Sequence, residues 1–233
     1  PTGSGTADLD VSAQSRAFDA LVIRLASHTD FAHGIFAVSN TLAERVRRRR
    51  PDLSRDIRTR GQGSVILAPS ADLTAAVPEI VRSGLAGAGG HHLGTGAIIL
   101  VHGAGKPQAF LDALADAVGS ARAGHTGRAV DLDDASGDPL ALTVAPLAEA
   151  PTPAQLRALT ELAPGERWLV QPQQLDEAGI LWSPGLRAGI TETSSFWQDA
   201  IGVPVIGITK AHSLTDAIRI QDRIGSGDVA ALQ

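Results

Sequence analysis

The sequence contains no cysteine, no methionine and no tyrosine, and aromatic residues make up only 3% of its 233 residues. The lack of cysteine excludes disulfide bonds, thiolate metal ligands and a cysteine nucleophile anywhere in this chain. Because the chain starts at Pro1 and has no methionine, we expect it to be a fragment, a processed product or a domain of a longer protein. With so few aromatic rings, the core must be built from Ala, Val, Leu and Ile.

Charge and hydropathy exclude further classes of protein. Hydrophobic residues make up 43% and charged residues 19%, which indicates a folded domain, and the net charge of −5 argues against nucleic-acid binding. The arginines at 47–50 end a predicted helix that Pro51 terminates, where cations oppose the helix dipole and face solvent. No signal peptide or membrane-spanning apolar run is present, so we expect a cytoplasmic location with neither nucleic acid nor membrane as partner.

Short apolar runs alternate with helical patterns along the chain. Strands are predicted at 64–69 and 96–102, and helices over 70–88, with Ser70 or Asp72 as the cap, and from Pro107 onward. This alternation is typical of a largely parallel sheet covered by helices, here with a β-rich segment around 140–190. Residues 1–16 are small and polar and predict a linker or tail.

Several site motifs are absent. No glycine-rich dinucleotide fingerprint, phosphate-binding loop or serine nucleophile elbow occurs, and Ser194-Ser195 has no base placed beside it by the sequence. His91 and His92 are adjacent and no other ligand lies at suitable spacing, so no metal site is expected.

The order of blocks resembles the aldehyde dehydrogenase superfamily from about His28 to the C-terminus. The run TRGQGSVILAPSADL resembles the passage from the family's E-T/L-G-G loop into the helix before the nucleophile, and VPVIGITKA resembles its E-x-F-G-P-V block. The runs LAPGERWLV and LWSPGLR resemble the glutamate-semialdehyde (pyrroline-5-carboxylate) dehydrogenase module of bifunctional proline-utilization proteins. The resemblance implies a three-layer α/β fold with an incomplete cofactor domain. It divides the chain into a tail (1–16), a remnant of a cofactor-type domain (17–60) and a catalytic-domain-like part (61–233).

The same resemblance implies that the chemistry of the family is missing. In the family a cysteine thiolate attacks the aldehyde, hydride passes to NAD, and a glutamate activates water. His92 falls at the cysteine position, Arg58 at the position of the general base, and Ala200 at the glutamate that holds the nicotinamide ribose. A guanidinium does not accept a proton near neutrality, and imidazole is a weaker nucleophile toward aldehydes than a thiolate. We therefore expect no catalytic residue, and NAD only if the family's pocket survives.

The sequence keeps the apolar strands and capped helices of the family and lacks its catalytic groups, a combination that predicts a non-catalytic domain. Its expected role is structural, oligomeric or site-covering, attached to or partnering a dehydrogenase of proline or amino-acid catabolism. Because the family builds dimers through added β-strands, a homo-oligomer or a companion dehydrogenase domain is the expected partner. Two alternatives stay open. One is an NAD-dependent dehydrogenase fragment that uses His91, His92 or Ser195, and the other is a domain that binds a small anion through Arg58 and Arg60.

Overall fold

The computed structural model describes residues 11–28, 30, 36–38, 40–59, 63–91, 94–105, 107–124, 143–224 and 231–232. The chain divides into two compact units, residues 1–59 and residues 60–233. In the described part of the chain, no helix has the length and apolar character that crossing a membrane requires.

The described residues of the first unit form two α-helices and a two-stranded parallel sheet. Helix α1 begins at Val11, inside the segment 1–16 that was predicted to be a tail. Ala13, Gln14 and Arg16 are good helix formers, so small and polar residues were a poor guide to the start of this helix. Apolar side chains of α1 and α2 form a small core that includes Val22, Leu42 and Val46. The elements are α1 (Val11–Ala26), β1 (Phe36–Val38), α2 (Asn40–Arg49), a 3₁₀ segment (Pro51–Asp56) and β2 (Ile57–Thr59).

The second unit is built on a six-stranded sheet with the order β10-β3-β4-β9-β8-β7. Every neighbouring pair is parallel except β7 and β8, which are antiparallel. The central strands β3, β4 and β9 consist almost entirely of buried residues, because helices cover both faces of the sheet. The strands are β3 (Gly63–Leu67), β4 (Thr95–Val101), β7 (Arg167–Val170), β8 (Gly185–Ala188), β9 (Val205–Ala211) and β10 (Ala231–Leu232), with a separate parallel pair of β5 (Arg122–Ala123) and β6 (Thr143–Val144).

Five α-helices complete the second unit over its described residues. Helices α3 and α4 contact each other, while α7 packs on β3, β4 and β9. The side chain of Asp72 accepts hydrogen bonds from Thr74 N and Ala75 N and so caps α3, and Thr152 forms a capping box with Gln155 at the start of α5. The helices are α3 (Leu73–Leu85), α4 (Pro107–Ser120), α5 (Pro153–Thr160), α6 (Phe196–Asp199) and α7 (Leu214–Ile224).

The predicted fold class is confirmed, since the sheet is largely parallel and helices cover it. The segment around 140–190 that was expected to be rich in β-structure contains β6, β7 and β8. It also holds an isolated bridge between Gln174 and Trp182.

Candidate functional site

A tight turn follows helix α3, where the resemblance placed the nucleophile. Gly87, Ala88 and Gly89 have φ angles of 57°, 55° and 76°, in the left-handed region. Ala88 is buried and carries a Cβ, so its conformation persists because the surrounding structure fixes it. A Cβ added to Gly89 would overlap the carbonyl of Val203, so this turn lies directly against the segment that leads into β9.

The turn ends at His91, which is exposed. Beyond it, Thr95 N donates to Ser83 Oγ at 3.1 Å and the Thr95 hydroxyl donates to the same oxygen at 3.0 Å. These bonds tie the start of β4 to the last turns of α3. His92 lies outside the described residues, so its assignment to the cysteine position remains a prediction.

Ala200, at the predicted ribose-binding position, ends the short helix α6. It is 2% exposed, and its backbone N–H donates to the carbonyl of Phe196 at 2.8 Å. Its methyl group therefore contributes to the core and offers no acceptor to a hydroxyl group. Because Val203 follows three residues later, the structure brings the turn at Gly89 and the predicted ribose-binding segment together.

The neighbouring carboxylate, Asp199, is held by Arg157 of helix α5. Arg157 Nη2 lies 3.1 Å from Oδ1 and 3.2 Å from Oδ2, and its Nε lies 3.3 Å from Oδ2. The Asp199 side chain is 11% exposed, so the pair is partly shielded from solvent. The sequence analysis missed this pair, because 42 residues separate its members and no local pattern connects them.

Arg58, at the predicted position of the general base, lies in strand β2 of the first unit. Its backbone pairs in register with Ala37 of β1, and only its backbone is described. Arg60, the second arginine of the anion-binding alternative, lies outside the described residues. The roles of both arginines stay predictions.

A buried ion pair joins Arg187 of β8 to Glu166, the residue that immediately precedes β7. The side chains of Arg187 and Glu166 are 5% and 2% exposed, and Arg187 Nη2 donates to Glu166 Oε2. Ala163 N donates to the same carboxylate at 2.8 Å, and Ser194 Oγ donates to Oε1 at 2.8 Å. The guanidinium of Arg187 also lies 4.7 Å from the centre of the Phe196 ring, a distance suited to a cation–π contact.

These contacts decide the protonation of Glu166. Burial by itself would raise the pKa of Glu166, but the hydrogen bonds from Arg187, Ala163 and Ser194 outweigh it and hold the pKa below its ordinary value. Glu166 is therefore an anion near neutrality and a poor proton acceptor for Ser194.

The serines do not form a catalytic pair with a base. Ser195 is exposed and makes no hydrogen bond through its side chain at the start of α6. The small cavity of about 130 Å³ beside Ser194 and Ser195 is lined by Arg157, Arg187 and Asp199, with no histidine among the described residues. Over the same described ranges, no group of three or more His, Asp or Glu side chains could hold a metal ion.

Comparison with known proteins identifies the family of the chain. The sequence profile described as "Aldehyde dehydrogenase family" matches residues 20–233. The chain belongs to the aldehyde dehydrogenase family. No curated protein sequence gives a significant match.

Solved structures of the family share the fold. Proline Utilization A from Corynebacterium freiburgense is 33% identical over 87% of this chain and 20% of its own, with a TM-score of 0.68. Methylmalonate-semialdehyde dehydrogenase from Oceanimonas doudoroffii is 17% identical over 86% and 40%, with a TM-score of 0.67. A variant of 1-pyrroline-5-carboxylate dehydrogenase from Thermus thermophilus is 16% identical over 87% and 38%, with a TM-score of 0.63. The chain thus spans well under half the length of each of these aldehyde dehydrogenase relatives.

Proposed function

We propose that this chain is a non-catalytic aldehyde-dehydrogenase-like domain with a structural, oligomeric or site-covering role. The observation that carries the proposal is the complete absence of cysteine in a member of a family whose chemistry depends on a cysteine thiolate. The fold around the missing nucleophile is kept, because the turn at Gly89 still lies against Val203 and a continuous apolar core surrounds the sheet.

The cofactor proposal follows from the same region. The described residues do not fit NAD well, because the ribose-binding position holds the buried methyl group of Ala200 and the neighbouring Asp199 is held by Arg157. We infer that residues 17–60 are a remnant of a cofactor-type domain and that residues 61–233 correspond to the catalytic domain of the family. The division of the chain between residues 59 and 60 supports the boundary between these two parts.

The expected partner is a second copy of this chain or a dehydrogenase of proline or amino-acid catabolism. The 33% identity to Proline Utilization A supports the metabolic context. Strand β7 supports pairing, since it is a terminal strand of the described sheet and Trp168, Leu169 and Val170 are half-buried. An exposed strand edge with apolar side chains is suited to the addition of a strand from a partner.

The first experiment tests catalysis and cofactor binding in the purified chain. NAD and NADH are titrated by calorimetry, and oxidation of glutamate semialdehyde is followed by NADH absorbance, with a cysteine-containing family member as the positive control. We expect neither heat of binding nor NADH formation above the control without protein. NADH formation that the double variant His91→Ala/His92→Ala abolishes would establish the alternative of an enzyme with unusual residues.

The second experiment tests pairing through β7. Analytical ultracentrifugation of the chain, alone and with a proline-utilization dehydrogenase, measures assembly, and amide hydrogen exchange maps the contact. We expect slower exchange over residues 167–170 in the assembled state, with the exchange of the capped helix α5 unchanged as an internal control. A chain that stays monomeric alone and does not associate with the dehydrogenase would contradict the scaffold role.

A further inference from the structure

The sheet contains a crevice that lies away from the family's catalytic position. Helix α4 leaves β4 toward β7 and β8 and contacts both, whereas helix α7 leaves β9 in the opposite direction and contacts β3. Chain connections that diverge from two adjacent parallel strands open a crevice between the carboxyl ends of those strands, where open α/β sheets bind ligands. Here those two strands are β4 and β9, paired in register from Ala97 and Gly207 to Val101 and Ala211.

A cavity of about 600 Å³ occupies this crevice, within the range of small-molecule sites. Its walls include the aliphatic side chains of Leu100, Leu111, Ile190 and Ile208, each largely buried in the core. The family's turn at Gly89 instead meets Val203, which precedes β9 and therefore lies at the amino end of that strand. The cavity and the turn at Gly89, which precedes the predicted nucleophile position, are thus at opposite ends of β9.

The charges that line this cavity do not balance. Glu192 is paired with Arg219 at 2.7 Å and Arg223 at 2.5 Å, and Asp216 is paired with Arg219 at 2.6 Å. Arg219 and both carboxylates line the cavity, whereas Arg223 reaches Glu192 from outside it. The two carboxylates of the wall are therefore already paired with arginines.

Arg167 and Lys210 add two positive charges at the rim. Both are exposed, and neither has a carboxylate partner among the described residues. They reach the same cavity because β7 is antiparallel to β8, which places the start of β7 beside the carboxyl ends of β8 and β9. His212, exposed on the same rim, adds a further polar group.

We propose that this crevice binds a small organic anion, with its apolar body against Leu111, Ile190 and Ile208 and its anionic group between Arg167 and Lys210. An arginine fork and a lysine ammonium, close to apolar walls, suit a carboxylate or phosphate group. This site requires neither a cysteine nor NAD, so its test is separate from the test of catalysis, and it shares only Arg167 with the strand β7 proposed for pairing.

The test titrates the 233-residue chain with phenyl phosphate and, separately, with benzoate, following backbone amide shifts by NMR. Phenol and inorganic phosphate are matched probes that carry only the apolar body or only the charge. We expect saturable shifts confined to the cavity wall, around Leu111 and Arg167 and over residues 188–192 and 208–216, with at least one of the two anionic aromatic probes, and weaker binding of phenol and phosphate. Which of the two anionic probes binds more tightly distinguishes a phosphate ligand from a carboxylate ligand.

Substitutions of the two rim cations test whether they contact the bound anion. Lys210→Gln and Arg167→Gln each remove one exposed cation and should weaken binding by about tenfold, the effect of losing one charge-assisted hydrogen bond. Arg122→Gln removes an exposed arginine on β5 outside the cavity and should bind as the unmodified chain does. Absence of saturation with both anionic probes, shifts located elsewhere, or unchanged affinity in both cavity variants would overturn the proposal.

Discussion

The buried pair between Glu166 and Arg187 offers the most direct test of what holds the second unit together. Glu166→Gln keeps the shape of the side chain and removes its charge. Arg187, with a side chain that is 5% exposed, would then be left as an uncompensated buried cation. Breaking a buried ion pair in this way costs about 3–5 kcal/mol, and the ring of Phe196, 4.7 Å away, offsets only a small part of that cost.

The hydrogen bonds of Glu166 decide where in this range the loss of stability should fall. The carboxylate accepts from Arg187, Ala163 N and Ser194. A glutamine oxygen can keep one or two of these donors, and the Ser194 hydroxyl can rotate to accept from the new amide. The dominant loss is therefore the charge, and we expect the free energy of unfolding to fall by about 3 kcal/mol.

Equilibrium unfolding in urea, followed by fluorescence of Trp168, Trp182 and Trp197, measures the change. The matched control is Glu79→Gln, which removes the same charge from an exposed pair with Arg82, where the two side chains are 60% and 52% exposed. That control should lose less than about 0.5 kcal/mol, as exposed ion pairs do. A loss of under about 1 kcal/mol in Glu166→Gln would refute the view that this pair anchors β7 to β8.

Three further predictions concern pH, the tight turn and a helix cap. The pKa of Glu166 is lower in the folded state, so its contribution to stability is present above the unfolded pKa of about 4.3 and is lost as the pH falls through the folded pKa. When the melting temperature is measured against pH, its decrease on the acid side should therefore be shallower in Glu166→Gln than in the unmodified chain. Gly89→Ala should lower the free energy of unfolding in urea by at least about 2 kcal/mol, since its Cβ overlaps the Val203 carbonyl. The control Gly87→Ala, which has a left-handed φ but open space around it, should lose about 1 kcal/mol. Equal losses would show that the contact with Val203 does not contribute to stability. Asp72→Ala removes the cap of α3 and should cost about 1 kcal/mol, with Asp72→Asn restoring most of it, and an equal loss in both variants would exclude capping as the cause.

Local sequence signals identified the framework of the second unit. The predicted strand at 96–102 corresponds to β4 at Thr95–Val101, and the helix predicted from Pro107 begins at that residue. Asp72, one of two predicted caps, accepts the two capping hydrogen bonds of α3. These features depend on residues within a few positions of one another, such as a run of buried aliphatic residues or a capping carboxylate, so a single segment contains the information.

The polar contacts of the site depend on distant parts of the chain. Glu166 and Arg187 meet across a register in which Trp168 pairs with Arg187, and a shift of one residue would send Arg187 to the other face of the sheet. Likewise, Arg167 and Lys210 come to one cavity only because of the strand order β9-β8-β7. Nothing in either segment alone specifies that order, so sequence reasoning found neither the ion pair nor the crevice.

The contrast between local packing signals and long-range polar contacts explains how a fold can persist after its catalytic groups are lost. Gly89 is needed where it stands because any side chain would overlap the Val203 carbonyl, a requirement of packing that holds whether or not a nucleophile follows. Ala200 meets a packing requirement too, since its methyl group is buried in the core. Loss of a thiolate or a ribose-binding carboxylate removes a few specific interactions and leaves the many apolar contacts of the sheet intact. Selection for shape alone would therefore preserve this turn and this core while the reactive groups disappear, which is the history that the proposed non-catalytic role requires.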